Sequence, residues 1–157
     1  MAMTLLSAAP DVASLDVRIL ATDIDPNMVS DARAGLYAEG LMAGVSDEHR
    51  RRWTAPAAGR PGFVQMSDET RALITFNELN LIGDWPMKGP FDAIFCRNVV
   101  IYFEEETQAR VWSRFKPLLT REGRLYIGHS ERLNGPAAAA FVSDGLTTYR
   151  FAEGAGS

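Results

Sequence analysis

The chain has 157 residues, 46% of them hydrophobic and 23% charged, with 16 basic against 20 acidic side chains and a net charge of −4. That length fits one domain and the composition an ordinary globular chain; the negative balance disfavours a broad nucleic-acid surface, though not a local basic patch. A single cysteine, Cys96, excludes a disulfide within the chain and a cysteine-based metal cluster.

No apolar stretch approaches the roughly 20 residues of a membrane helix. The opening MAMTLLSAAP lacks a basic leader. A cytoplasmic protein without membrane insertion is the expectation. Residues 2–9 read as the end of a helix and residues 10–16 as a linker. Residues 17–22, VRILAT, read as a strand leading into Asp23-Ile24-Asp25-Pro26. Asp25 is a good N-cap and Pro26 suits the first helical position. Met28, Val29, Ala32 and Leu36 then fall at helical spacing. Asp23 stands at the strand's end, where an acid either serves the helix entry or accepts hydrogen bonds from ribose hydroxyls.

Ser46 caps a short polar helix ending in the basic run 49–52, which reads as a solvated face. Residues 53–63 carry Pro56, Gly59, Pro61 and Gly62, which is turn chemistry. Two strand-like runs, 63–66 and 72–76, flank the polar connection 67–71. Residues 53–76 therefore read as a small antiparallel β insertion whose second half can run into the main sheet. Its edge is suited to an extended protein partner. Asn77-Glu78-Leu79-Asn80-Leu81 follows at a strand's carboxyl edge.

Residues 91–103, FDAIFCRNVVIYF, organise the chain. Residues 91–96 suit a strand buried on both faces, with Cys96 as an inert buried thiol. Polar residues just past such a strand sit where parallel sheets bind ligands. The other reading is a strand, a turn and a helix start with a solvated Arg97-Asn98 pair, and spacing does not choose between them. Residues 104–119 predict a helix whose apolar face holds Val111, Trp112, Phe115, Leu118 and Leu119, with Pro117 ending or kinking it. Residues 124–127 predict another strand, followed by Gly128-His129-Ser130-Glu131. Adjacent Ser, His and acid rarely form a triad, so that stretch reads as non-catalytic. Residues 141–151 read as a closing hairpin and 154–157 as a tail.

Four strand-end stretches in order, ILATDID, FNELNL, FDAIFCRNVVIYF and GRLYIGHSE, closely resemble the C-terminal catalytic region of the CheR family. These are chemotaxis methyltransferases that use S-adenosylmethionine to methylate glutamates of bacterial chemoreceptors. The resemblance spans residues 17–151. It implies an α/β fold with a Rossmann-like class I methyltransferase sheet. It implies cofactor binding by Asp23 at the ribose, Asn80 and Leu81 near the adenine, and Asn98 and Val99 along the amino-acid end. Arg97 and Tyr102 would lie towards the methyl acceptor, for positioning and charge balance. The partner implied is the cytoplasmic domain of a methyl-accepting chemoreceptor, docked in part by the β insertion.

The family also has a helical N-terminal domain, then a central strand and a glycine-containing cofactor loop. This chain opens at Met3-Thr4-Leu5, where the helix after that loop would be ending. The expectation is a single truncated domain over 1–157 with an incomplete sheet and two unpaired inner strand edges. Such a chain is a fragment, or its two strands close up, or another chain fills the gap. Weak cofactor binding and self-association through those edges are expected with it. A non-catalytic relative binding a receptor or signalling partner is the alternative function, and a methyltransferase acting on another carboxylate a third.

Overall fold

A computed structural model describes residues 1–9 and 11–152; the tail expected at 154–157 and Pro10 of the expected linker lie outside them. The chain divides into two compact units, one over residues 1–80 and one from Leu81 onwards.

The first unit begins with α1 (Ala2–Ala8) and a 3₁₀ turn, Val12–Ser14, inside the stretch expected as a linker. Strand β1 (Ile19–Asp23) leads through Asp25, whose side chain accepts the Asn27 amide at 2.8 Å, into α2 (Pro26–Ala34). The helix stops at Gly35, which is left-handed at φ 65°. That conformation favours glycine, and a Cβ there would also crowd the Arg71 side chain, with Cδ at 2.9 Å. Strand β2 (Leu36–Ala38) follows directly, then a 3₁₀ stretch, Glu39–Gly44, and α3 (Asp47–Trp53). Ser46 caps α3, acids open it and Arg50, Arg51 and Arg52 close it, as the helix dipole favours.

Strands β3 (Thr54–Pro56) and β4 (Phe63–Met66) come next, then α4 (Asp68–Ala72) and β5 (Ile74–Glu78). The antiparallel sheet has the order β2-β4-β3. It thus takes in Leu36–Ala38, upstream of the stretch 53–76. The polar connection inside that stretch is α4, capped by Ser67. Strand β5 leaves the small sheet and pairs in parallel with β1, from Ile19 opposite Ile74 to Asp23 opposite Glu78. Leu6, Val12 and Trp53 form a small core, and the Trp53 indole donates to Ser7 Oγ at 3.4 Å.

The second unit holds β6 (Phe91–Cys96), a 3₁₀ turn (Val100–Tyr102), α5 (Glu105–Phe115) and β7 (Leu119–Ile127). Then come α6 (Gly135–Ala140), β8 (Phe141–Ser143) and β9 (Thr148–Phe151). The sheet order is β6-β7-β9-β8; β6 and β7 run parallel, and the other pairs are antiparallel. Helix α5 ends at Phe115, and Pro117 sits in the 3₁₀ turn Lys116–Leu118 that follows. Strand β7 begins five residues before Arg124, with a register shift opposite Phe91–Ala93. The main core lies here: Val100, Val111, Trp112, Phe115, Leu125 and Ile127 are buried between α5 and the sheet. Burying each such apolar side chain contributes about 1.5–3 kcal/mol.

Candidate functional site

In the first unit the parallel pairing puts the carboxyl ends of β1 and β5 at one edge. There the Leu79 amide donates to the Asp23 carbonyl at 2.8 Å. The Asp23 side chain is exposed and accepts the Asp25 amide at 2.9 Å. Asn80, also exposed, lies two residues past the end of β5. Asp23 and Asn80 therefore share a sheet edge, with an acceptor-only carboxylate at the strand tip suited to a pair of hydroxyls.

In the second unit Arg97, Asn98, Val99 and Tyr102 lie on one turn that leaves the carboxyl end of β6. Arg97, Asn98 and Val99 are exposed and Tyr102 is 81% exposed. Asn98 has φ 59°, the only positive value at a non-glycine residue among those described. Non-glycine residues avoid that region, and asparagine tolerates it best. Leu81 is placed differently. Its carbonyl accepts the Trp85 indole and the Arg114 guanidinium, both at 3.2 Å, next to α5.

The turn is organised by a residue that sequence reasoning passed over. Glu131 is 3% exposed, and its carboxylate accepts the amides of Asn98 at 3.0 Å, Val99 at 3.0 Å and Val100 at 2.9 Å. It also accepts the amide of Gly128. His129 and Ser130 beside it are exposed. The Glu131 carboxylate is thus committed to backbone amides, which fits the rejection of a triad. A second unanticipated feature is the stack of Phe95 on Tyr126, centroids 4.3 Å apart and 5° from parallel, on adjacent strands of the same sheet. Phe95 remains 46% exposed. Alternation within a short apolar strand gave no sign of either.

Cys96 ends β6 beneath the turn. Burial, and then the Glu131 charge, push its thiol up to about 12. The native chain should therefore resist a disulfide reagent at pH 8 and react once denatured. The folded thiol holds its proton more tightly than the unfolded one. Its contribution to stability is thus complete below an unfolded value of about 8.5 and is lost as pH rises towards the folded value. Stability should fall by up to about 1.4 kcal/mol per pH unit in that window, and Cys96→Ala should flatten the slope in urea titrations at pH 8 and pH 10.

The model of the family described as CheR methyltransferase, SAM binding domain, matches residues 1–149. A probable chemotaxis protein methyltransferase of Rhizobium etli is 53% identical over 152 residues, covering 96% of this chain and 56% of that protein. Chemotaxis protein methyltransferase 2 of Pseudomonas aeruginosa is 41% identical over 137 residues, covering 83% of this chain and 47% of its own length. The chemotaxis protein methyltransferase of Escherichia coli K12 is 36% identical over 134 residues, covering 84% and 46%. The chain thus spans about half the length of these relatives. Within the first unit, the exposed Asp23 carboxylate at the end of β1 suits the ribose hydroxyls of S-adenosylmethionine; within the second, the turn after β6 is exposed and polar. A Cβ at Gly128 would run into the Asn98 side chain and come within 2.8 Å of Glu131 Oε2, so the cradle under that turn admits no side chain.

Proposed function

The chain belongs to the CheR methyltransferase family, a mixed α/β fold of class I methyltransferase type, and from that premise we propose that it serves methyl transfer to glutamate side chains in the cytoplasmic domains of chemoreceptors, forming methyl esters. The observation that carries this reading is the turn after β6, which presents Arg97, Asn98, Val99 and Tyr102 together and exposed. When bound, S-adenosylmethionine supplies a methyl group activated by a positively charged sulfur. A glutamate carboxylate is ionised at pH 7 and is already a nucleophile, so the chain has no proton to move. Its task is alignment and exclusion of water.

In this reading Asp23 accepts hydrogen bonds from the ribose hydroxyls, and Asn80 and Leu81 lie along the adenine. Asn98 and Val99 hold the amino-acid end. Arg97 holds the acceptor carboxylate, and Tyr102 shapes its approach. The small antiparallel sheet is the docking element for a receptor segment, and the setting is the cytoplasm. Strands β1 and β6 each pair on one side only among the described residues, which supports self-association through those edges.

The direct test uses the chain, a receptor cytoplasmic fragment and methyl-labelled S-adenosylmethionine. Label that is released as methanol in alkali supports the reading. Absence of label, or alkali-stable label, counts against it. Arg97→Ala should lower the rate by roughly 10- to 100-fold through loss of one charge-assisted hydrogen bond, with cofactor affinity unchanged. An equal fall in cofactor affinity would move Arg97 to the cofactor side.

A further inference from the structure

We infer that Glu131 is the positioning residue of the turn after β6, acting through Asn98; this rests on the proposed role of Asn98 and Val99 at the cofactor. Three successive amides, those of Asn98, Val99 and Val100, converge on one buried carboxylate, and the Gly128 amide joins them from the end of β7. Converging amides of this kind form a concavity that attracts an anion. Here the anion is built into the chain. It locks two loops to each other and holds Asn98 in its left-handed conformation, with the Asn98 side-chain oxygen set against Gly128.

Four donors meet two oxygens: Oε1 takes Val99 and Val100, and Oε2 takes Asn98 and Gly128. Glutamine has the same shape but only one carbonyl oxygen. Either orientation of its amide would point an NH₂ group at two N–H donors. The near-isosteric replacement is therefore wrong for this position, whereas an exposed surface glutamate would tolerate it. Gly128 belongs to the same device, because any side chain there would hold the two loops apart.

The test combines amide exchange with a double-mutant cycle, using S-adenosylhomocysteine as the binding probe. Glu131→Gln should speed exchange of the amides at 98–100 by about tenfold or more, the scale of a lost charge-assisted hydrogen bond. Exchange at Leu125 and Ile127 within β7 should stay unchanged. Asn98→Gly keeps the left-handed backbone and removes the side chain. Each single substitution should weaken probe binding about tenfold or more, and the double variant should be within about twofold of Glu131→Gln alone. Effects that multiply in the double variant, or unchanged exchange at 98–100, would overturn the inference. If the Glu131→Gln chain does not fold, Glu131→Asp, which keeps the charge and shortens the reach, carries the same cycle. If the unaltered chain binds the probe too weakly to measure, as expected of an incomplete sheet, the exchange arm alone decides whether Glu131 orders the turn: unchanged exchange at 98–100 overturns the inference.

Discussion

Trp112→Ala is expected to lower stability by about 3–5 kcal/mol, the cost of emptying a fully buried tryptophan site. Against a total of about 5–15 kcal/mol for a domain, that change approaches unfolding. Trp112 is 0% exposed, on the face of α5 that meets Val100, Leu125 and Ile127. Its ring lies 6.0 Å from that of Phe115, centroid to centroid. The same indole carries a buried N–H with no hydrogen-bond partner among the described residues. Trp112→Phe should therefore behave quite differently. The lost ring volume costs about 1 kcal/mol at the usual cavity rate. Removing an unsatisfied buried donor returns about 1–3 kcal/mol. The phenylalanine variant should be as stable as the unaltered chain or more stable by up to about 2 kcal/mol in urea titrations followed by circular dichroism. A loss as large as that of the alanine variant would show that the indole N–H makes a bond of its own.

Features written in one continuous stretch were legible in the sequence. Residues 91–103 show an apolar run that breaks at Arg97-Asn98, and that break is the turn after β6. Asp25-Pro26 announces the start of α2, and the charges of α3 and α5 follow the dipole rule. What was not legible depends on partners far away along the chain. Glu131 reads as one more surface acid beside a histidine and a serine. Its burial is decided by amides more than 30 residues upstream, which leave no mark in the local pattern. Strand β2 is three residues long, too short for periodicity, and exists because β4 pairs with it. Helix α4 did carry a local signal, Ser67 followed by two acids, within a stretch whose polarity reads equally well as a loop. Strand β7 starts before Gly123 because its pairing with β6 tolerates a register shift.

The two aspartates at the end of β1 should separate cleanly. Asp25 accepts the Asn27 amide at 2.8 Å and caps α2. Asp25→Ala should cost about 0.5–2 kcal/mol of stability and leave cofactor affinity nearly unchanged. The Asp23 carboxylate accepts only the exposed Asp25 amide among the bonds described, so the side chain's structural contribution is small. Its proposed work is at the ribose, where a charged acceptor meets two hydroxyls. At about 1.5–3 kcal/mol for each charge-assisted bond, Asp23→Ala should weaken cofactor binding by roughly 10²- to 10⁴-fold. Asp23→Asn keeps one carbonyl oxygen and loses the charge, so it should fall between the alanine variant and the unaltered chain. Calorimetric titration gives the affinities, and thermal unfolding of the same samples gives the stabilities. If Asp23→Ala instead lowered the melting temperature as Asp25→Ala does, with affinity intact, Asp23 would be a second cap on the helix entry and the ribose assignment would be wrong.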